Sequence, residues 1–418
     1  MKNNISTKNI KFDGENVDIL RQLGNLFSPH RLYMVGGSVR DVFLGSKEVG
    51  DIDIASTLSV SELKRRITGT KFKLVGTIEN TGTAIIKYKE HTYEYTRFRK
   101  DLYRNGSGEH KPKEVVFVDD IKIDAERRDF KANAIYRDVV SGEIVDPLEG
   151  LADVHSRILS TTREPNSVFE EDGLRLLRLA RFAGQLQFEI DKTTLSKAKE
   201  NVWRIKDIAS ERIYDELSRM LALGGGRTVR AFGVLFEIGL QEHVLDGSTN
   251  KEDIKYLMFN GMDEVSRWSV LFKNAQSKER IISYFKNMGA SKKIATQVSR
   301  VCSIYDKQPS SKAELMKFVI ENQDVMDSLI VFQKAVKMRQ QAKELEDILI
   351  EMRDEKVPMS IKELPVNGQD LIDLGIPNII RGRVLEDLLT AICGDFRLRD
   401  RDLAMTYIKN RYIKEKQD

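Results

Sequence analysis

Asp51 and Asp53 lie two residues apart in the segment DIDIA (51–55), whose β-branched residues predict a strand. Because side chains alternate along a strand, both carboxylates would point to one face while Ile52 and Ile54 point to a core. Two neighbouring carboxylates repel each other unless a cation lies between them. Aspartate oxygens suit Mg²⁺, which fills the rest of its shell with phosphate and water. The pair therefore predicts a catalytic magnesium site, and a surface strand with alternating acids is the alternative.

A glycine turn just upstream favours the metal site. In YMVGGSVRD (33–41), Gly36 and Gly37 lie between a predicted strand and a helix that begins near Ser38. Paired glycines let a ligand approach the backbone closely, and free N–H groups at a helix N-terminus favour an anion. Arg40 lies in the first turn of that helix. We expect this turn to bind an anion such as a triphosphate.

Glu94 is the candidate for a third acid, which is needed if a second metal ion is to activate an attacking hydroxyl. It lies in the middle of the predicted strand TYEYTRF (92–98), between aromatic residues. An unpaired carboxylate is costly in such surroundings. An ordinary exposed glutamate on a strand remains the alternative.

The segment FEEDGLRLLRLARF (169–182) predicts a helix in which Asp172 and Arg175, three residues apart, share a face. On their Watson–Crick edges cytosine and adenine offer an amino donor beside a ring-nitrogen acceptor, whereas uracil and guanine present the reverse. An aspartate acceptor beside an arginine donor therefore fits C and A. It would reject U and G by leaving polar groups unpaired. An intrahelical salt bridge is the alternative.

Arg178 and Arg181 continue the three-residue step that begins at Asp172. Residues at this spacing follow one side of a helix. We expect the two arginines to form a basic ridge suited to a triphosphate.

The candidate residues lie in two kinds of sequence, which together predict an α+β fold. Short β-branched runs in the first third predict a small mixed sheet, and they are RLYMV (31–35), DIDIA (51–55), TAIIKY (83–88), TYEYTRF (92–98) and EVVFV (114–118). From about residue 158, apolar residues at three- and four-residue spacing predict amphipathic helices, as in 173–186 and 211–223. Gly224–Gly226 marks a helix break. We predict a mixed-sheet head at 1–157 and all-helical domains at 158–245, 246–355 and 356–418.

The composition and charge of the chain exclude few classes of function. The 418 residues carry a net charge of +4, which permits an RNA partner without requiring one. No apolar run approaches the length of about 18 residues that a membrane helix needs, and the first residues lack the apolar stretch of a secretory signal. Cys302 and Cys393 are the only cysteines, too few for a disulfide framework. We therefore expect a cytoplasmic protein that does not enter a membrane.

Several motifs resemble those of the class II tRNA nucleotidyltransferases, the CCA-adding enzymes, and occur in the same order. The resemblance is greatest to the short bacterial form. The motifs cover nearly the whole chain, and they are GGSVRD with DID (36–53), RRDFKANA (127–134), DPLEGLAD (146–153), EDGLR (171–175), SERIYDEL (210–217) and VNGQDL (366–371). The resemblance implies a seahorse of head, neck, body and tail. It implies that C, C and A are added in turn to the 3′ end of tRNA from CTP and ATP.

By that resemblance, Asp51 and Asp53 hold Mg²⁺ and Gly37, Ser38 and Arg40 contact the nucleotide's phosphates. The remaining nucleotide contacts that it implies are Arg128, Asp129, Asn133, Asp172, Arg175, Arg178 and Arg181. The body and tail would hold the tRNA.

Three alternatives remain open. A bacterial poly(A) polymerase shares the head and neck, but its basic-aromatic block beside the head is not visible here. An enzyme that adds only CC or only A differs in the flexible loop of the head, for which the polar segment 100–113 is the counterpart. A non-catalytic tRNA-binding protein would be favoured by a lost carboxylate, and both Asp51 and Asp53 are present.

The C-terminal region is the predicted tRNA-binding tail. It departs from the usual family pattern at IPNIIRGR (376–383), and its cations are Arg381, Arg383, Arg397, Arg399, Arg401, Lys409 and Arg411. Because Asp395, Asp400 and Asp402 lie among them, a charge-balanced, solvated end is the alternative.

Overall fold

The computed structural model describes residues 15–46, 52–103 and 113–413. These residues form two compact units, Met1–Leu245 and Asp246–Asp418. The division falls at one of the predicted domain boundaries. The finer division into four domains stays a prediction.

The strands of the first unit are short. They are β1 (Tyr33–Val35), β2 (Ile52–Ser56), β3 (Lys73–Ile78), β4 (Thr83–Tyr88), β5 (His91–Arg97), β6 (Arg99–Leu102), β7 (Glu114–Phe117), β8 (Tyr136–Asp138), β9 (Ile144–Val145), β10 (Ile158–Leu159) and β11 (Glu189–Ile190).

Seven of these strands form one sheet in the order β3-β4-β5-β2-β1-β8-β9 among the described residues. Only the β2–β5 pairing within it is parallel, so the sheet is mixed, as predicted. One face packs on a core that includes Met34, Ile54, Ile86 and Tyr93. The alternation of buried and exposed residues along β4 and β5 explains why TAIIKY and TYEYTRF could be recognised as strands.

The helices of the first unit surround and follow this sheet. They are α1 (Glu15–Asn25), α2 (Gly37–Phe43), α3 (Val60–Ile67), α4 (Ile121–Glu126), α5 (Gly150–Ser156), α6 (Pro165–Glu171), α7 (Leu174–Leu186), α8 (Lys192–Asn201), α9 (Ser210–Ala222), α10 (Gly225–Glu237) and α11 (Gln241–Val244). The predicted break at Gly224–Gly226 is confirmed, because α9 ends at Ala222 and Gly224 has a φ of 75°.

The region after residue 157 is mostly, but not entirely, helical. Strands β10 and β11 pair in parallel, with Ile158 opposite Glu189 and Leu159 opposite Ile190. Each has two residues, too few to show the alternation by which a strand is recognised in sequence.

The second unit is helical throughout its described residues. Its α-helices are α12 (Glu264–Leu271), α13 (Lys278–Asn287), α14 (Lys292–Ile304), α15 (Lys312–Glu321), α16 (Met326–Ala335), α17 (Arg339–Asp354), α18 (Gly368–Asp373), α19 (Asn378–Gly394) and α20 (Arg401–Tyr412). Its core includes a cluster of rings around the buried Trp268.

Much of the charge in the predicted tail is internally compensated. Arg401 binds Asp370 in a bidentate pair, and Arg399 pairs with Glu355 at 3.1 Å. Asp370 also closes a capping box with Asn367 at the start of α18. The motif VNGQDL therefore has a structural role in folding the end of the chain.

No helix within the described ranges is both long enough and apolar enough to cross a membrane.

Helix α7 packs unusually close to α10 because Gly184 lies at the contact. A Cβ atom at this position would lie 2.5 Å from the carbonyl oxygen of Arg227 and 2.6 Å from Cβ of Ala231. Both helices must therefore separate if the residue acquires a side chain. Gly233, in the interior of α10, has open space around it instead.

We predict that Gly184→Ala lowers the free energy of unfolding by about 1–3 kcal/mol, since overpacking displaces two helices. Gly233→Ala is the matched control. It should leave stability unchanged or raise it by about 0.5–1 kcal/mol, because alanine is the better helix former. Urea unfolding of both variants measures the difference. Equal stability of the two variants would contradict the close packing of α7 on α10.

Candidate nucleotide-binding site

A cleft of about 540 Å³ opens in the first unit. Seven arginines and four aspartates are among its lining residues. The lining comprises Gly36, Gly37, Ser38, Arg40, Asp41, Asp53, Arg127, Arg128, Asp129, Asn133, Asp172, Leu174, Arg175, Arg178, Arg181, Phe182, Gln185 and Arg212. The cleft thus brings together the predicted phosphate turn, one predicted metal ligand and all the predicted nucleotide contacts.

The glycine turn joins β1 to α2 as predicted. Gly36 has a φ of 84°, a conformation that favours glycine, and α2 begins at Gly37. The hydroxyl of Ser38 donates to the carbonyl of Val35 at 3.3 Å. Arg40 is only 1% exposed, and its guanidinium donates to Asp41 at 2.8 Å and to the side chain of Asn133. Arg40 is therefore held by the protein at the edge of the cleft.

Asp53 lies on β2 directly beside this turn, with its side chain on the face opposite the core residues Ile52 and Ile54. A Cβ atom at Gly36 would lie 3.5 Å from Oδ2 of Asp53. Asp51 lies outside the described residues, so its predicted role as a metal ligand stays a prediction. Within the described residues, no group of three or more metal-binding side chains is found.

Glu94 is the strand neighbour of Asp53. The two residues are register partners on the parallel strands β2 and β5, so their side chains share a face. Glu94 is exposed, contrary to the expectation of costly aromatic surroundings, because Tyr93 and Tyr95 point to the opposite face. The register places a second carboxylate beside Asp53.

A buried network holds Arg128 in the lining of the cleft. Arg128 donates to the hydroxyl of Tyr136 at 3.1 Å and to Asp124 at 3.3 Å. Burial opposes ionisation of Asp124, but Arg127 and Arg128 keep the pKa of its carboxyl below the usual value. The charge of Arg128 is therefore anchored before any ligand binds.

Asp129 organises the next set of contacts. It accepts from the amide of Phe130 at 2.8 Å, from Asn133 at 3.1 Å and from Arg178 at 2.8 Å. Burial alone would raise the pKa of Asp129, but Arg178 and these hydrogen bonds hold it at about 2. Asp129 is thus ionised at neutral pH and orients both Asn133 and Arg178.

The predicted single helix across 169–182 is wrong. Helix α6 ends at Glu171, Asp172 has an extended backbone, and α7 begins at Leu174. The Asp172 carboxylate accepts from the Leu174 amide at 3.0 Å, so it serves the first turn of α7. The apolar spacing continues across the break and conceals it. Asp172 therefore lies outside the helix that carries Arg175, and it pairs with Arg212.

Asp172 and Arg175 nevertheless line the same cleft, and each is fixed by other groups. Arg212 of α9 donates to Asp172 at 3.1 Å. Arg175 is 7% exposed and donates to Glu171 at 3.0 Å and to the carbonyl of Arg127 at 2.7 Å. An acceptor and a donor are therefore held in the same cleft.

Arg178 and Arg181 do not form a free basic ridge. Arg181 donates to Glu216 at 2.6 Å, and Arg178 pairs with Asp129 and lies 3.6 Å from Glu216. Their guanidinium carbons lie 5.2 and 4.2 Å from the ring centre of Phe182. Both arginines line the cleft, but much of their charge is compensated by the protein.

Sequence patterns did not identify several residues that shape the site. They are Arg127, Phe182, Arg212 and Glu216. The spacing of Arg212 and Glu216, four residues apart in SERIYDEL, indicates a shared face of α9. That face was a usable signal, whereas their partners Asp172 and Arg181 are 40 and 35 residues away.

Comparison with known proteins gives the following similarities. Residues 32–160 match the family described as "Poly A polymerase head domain", and residues 187–250 match "Probable RNA and SrmB- binding site of polymerase A". The CCA-adding enzyme of Lactobacillus helveticus is 32% identical over 279 residues, which cover 66% of this chain and 67% of that protein. The CCA-adding enzyme of Limosilactobacillus reuteri is 29% identical over 396 residues, with coverages of 89% and 94%.

A solved structure extends this similarity to the fold. The Bacillus stearothermophilus CCA-adding enzyme in complex with CTP has a TM-score of 0.80 to this chain at 23% sequence identity. The match covers 96% of this chain and 98% of the solved one. The predicted α+β fold class is thereby confirmed.

Proposed function

The chain belongs to the family of CCA-adding enzymes, and on that premise we propose that it adds C, C and A in turn to the 3′ end of tRNA. The nucleotides come from CTP and ATP, and each addition releases pyrophosphate. The observation that carries this proposal is that one cleft joins the glycine turn and Asp53 to the pair Asp172 and Arg175. One end suits a triphosphate, and the other offers an acceptor and a donor to a base.

The choice of base follows from hydrogen-bonding capacity. A guanidinium has five N–H donors, and Arg175 uses Nη1 toward Val168 and Glu171 and Nη2 toward the Arg127 carbonyl. Donors therefore remain for a ring nitrogen of C or A. The carboxylate oxygens of Asp172 are acceptors, and the Leu174 amide and Arg212 orient them. The fixed geometry supports selection of the base by the protein itself.

A divalent cation is the cofactor of the proposed reaction, and we propose Mg²⁺. The residues fit it, because Asp53 lies exposed beside Glu94 and the absence of a side chain at Gly36 leaves room next to Oδ2. Asp51, Asp53 and Glu94 would hold the cation. When bound, Mg²⁺ neutralises phosphate charge and lowers the pKa of a bound hydroxyl.

The protein's own groups then position the nucleotide. The first amides of α2 and the anchored guanidiniums of Arg40 and Arg128 face the phosphates, where they offset negative charge without rearranging. Asn133, oriented by Asp129, would contact the sugar. Arg178 and Arg181 complete the cationic wall, each held by an acidic partner.

The second unit is proposed to bind tRNA, with 246–355 as the body and 356–418 as the tail. Recognition would rest on RNA shape and phosphate charge, since the deep, narrow major groove of the acceptor arm hides its base edges. Because Arg399 and Arg401 pair with acids, we place the main contribution of the tail on other cations, such as Arg383 and Lys409. These substrates, and two cysteines without a disulfide, favour the cytoplasm.

Stepwise extension tests the proposed function directly. We predict that a tRNA transcript ending before CC gains two residues with CTP alone and no more, because addition then requires ATP. A transcript ending in CC should gain one A, and a complete transcript should gain nothing. Gel analysis of each transcript with each single nucleotide measures this. Extended tracts of A would indicate a poly(A) polymerase, and arrest at CC with ATP present would indicate a CC-adding enzyme.

Base choice tests the roles of Asp172 and Arg175. We predict that Asp172→Asn and Arg175→Ala reduce addition of C and A and lower the discrimination against UTP or GTP at least about tenfold, since half of the donor–acceptor pattern is lost. Asp53→Ala is the control. It should abolish addition of every nucleotide, because the cation loses a ligand.

A melting curve accompanies each of these variants. A purely structural role for Asp172 predicts lower stability with the C and A preference intact. Strict selection of C and A by a folded Asp172→Asn variant would therefore contradict the assignment.

A further inference from the structure

The sheet face that carries Asp53 continues beyond the cleft across three more strands. Asp53 is the register partner of Glu94 on β5, which is the partner of Ile85 on β4, which is the partner of Gly76 on β3. Partners in register place their side chains on the same face. A row of register partners thus runs from the proposed metal ligand to the edge of the sheet, where the β3–β4 register shifts between Leu74 and Gly76.

This part of the face is open, whereas its other half is covered. Over β1, β2 and β8 the same face packs against Phe98 and Ala125. Over β3 and β4, Ile85 is 37% exposed and Ile78 is 60% exposed. This part of the face therefore offers apolar surface that is not covered within the described residues.

Two lysines lie directly opposite each other on the open half. Lys73 of β3 and Lys87 of β4 are register partners, and both are exposed. Like charges in this arrangement destabilise a sheet. Within the described residues neither lysine forms an ion pair with a carboxylate, so an anion is the complementary ligand. A phosphate between the two ammonium groups would remove the repulsion.

The geometry of nucleotidyl transfer indicates which ligand lies on this face. The attacking and leaving oxygens lie in line on opposite sides of the reacting phosphorus. The glycine turn and α2 follow β1, which flanks Asp53 on one side, whereas β5 flanks it on the other. Since the proposed function places the triphosphate on the β1 side, the attacking 3′ hydroxyl would approach from the β5 side.

We propose that the open face, defined as Lys73, Gly76, Ile78, Ile85 and Lys87, holds the last nucleotides of the RNA that is extended. Ile78 and Ile85 pack against ribose and base, Gly76 lets the chain approach the sheet, and Lys73 and Lys87 bind its phosphates. This inference rests on the proposed function. It assigns the single-stranded 3′ end to a surface that begins beside Glu94.

Kinetics of CMP addition to tRNA ending before CC test the open face. Lys73→Ala combined with Lys87→Ala should lower kcat/KM for tRNA roughly tenfold, leave KM for CTP unchanged and flatten the salt dependence by about 0.7 per lysine. Ile85→Ser should also lower kcat/KM for tRNA. The matched controls are Lys64→Ala and Val140→Ser, at exposed residues of the head. They should change neither kcat/KM for tRNA nor its salt dependence.

The melting temperature distinguishes a role of the lysines in binding RNA from a role in stabilising the sheet. Removing the opposed lysines should leave the melting temperature unchanged or raise it, because a repulsion is lost. Unchanged kinetics for tRNA, or an equal rise in KM for CTP, would overturn the proposal. Wild-type protein that adds no C to tRNA would instead reject the proposed function.

Crosslinking locates the RNA independently of the lysine variants. Ile85→Cys labelled with benzophenone should crosslink to the last three nucleotides of tRNA, and labelled Val140→Cys should not. Both variants share the background of Cys302 and Cys393. A crosslink to another part of the tRNA, or none above the control, would contradict the open face.

Discussion

Charge compensation inside one cleft is the constraint on which the site depends. Seven arginines line it, and a buried guanidinium is costly unless carboxylates or carbonyls accept its hydrogens. Asp124, Asp129, Glu171 and Glu216 meet this requirement for Arg128, Arg178, Arg175 and Arg181. The same contacts offset the cost of burying the arginines and fix the orientation of their side chains. Donors are therefore oriented before a nucleotide arrives, which limits the reorganisation that binding and catalysis require.

The ends of the helices and the residues packed against them place these side chains in the cleft. Asp172 lies in the break between α6 and α7, where its carboxylate both serves the start of α7 and receives Arg212. Gly173 lets the segment at this break pack closely on the backbone of Arg204, since a Cβ there would lie 2.6 Å from the Arg204 carbonyl oxygen. The carboxylate that we propose to select the base is thus held from two sides outside a helix, and α7 carries Arg175, Arg178 and Arg181 into the same cleft. The contacts that fix the fold here are also those on which the proposed choice of base depends.

Local sequence patterns predicted the elements in which apolar residues recur at a regular spacing along the chain. TAIIKY appears as β4, one face of which is buried, and GLRLLRLARFAGQL appears as α7, whose apolar residues recur at helical spacing and are mostly buried. By contrast, RKDL of β6 is a strand through pairing with β7, and its charged sequence carries no alternation. The break at Asp172 is not visible in the sequence, because the apolar spacing continues across it. Arg212 and Glu216 lacked a visible role because their partners come from distant segments, which no local spacing encodes.

The central claim is that protein side chains select the base without a nucleic-acid template. Calorimetric titration of the tRNA-free protein with each of the four nucleoside triphosphates, in the presence of Mg²⁺, tests it most directly. Binding of CTP and ATP, with UTP and GTP at least about 100-fold weaker, is the result that follows from unpaired polar groups at Asp172 and Arg175. Equal affinity for all four nucleotides, with discrimination only after tRNA is added, would contradict the claim.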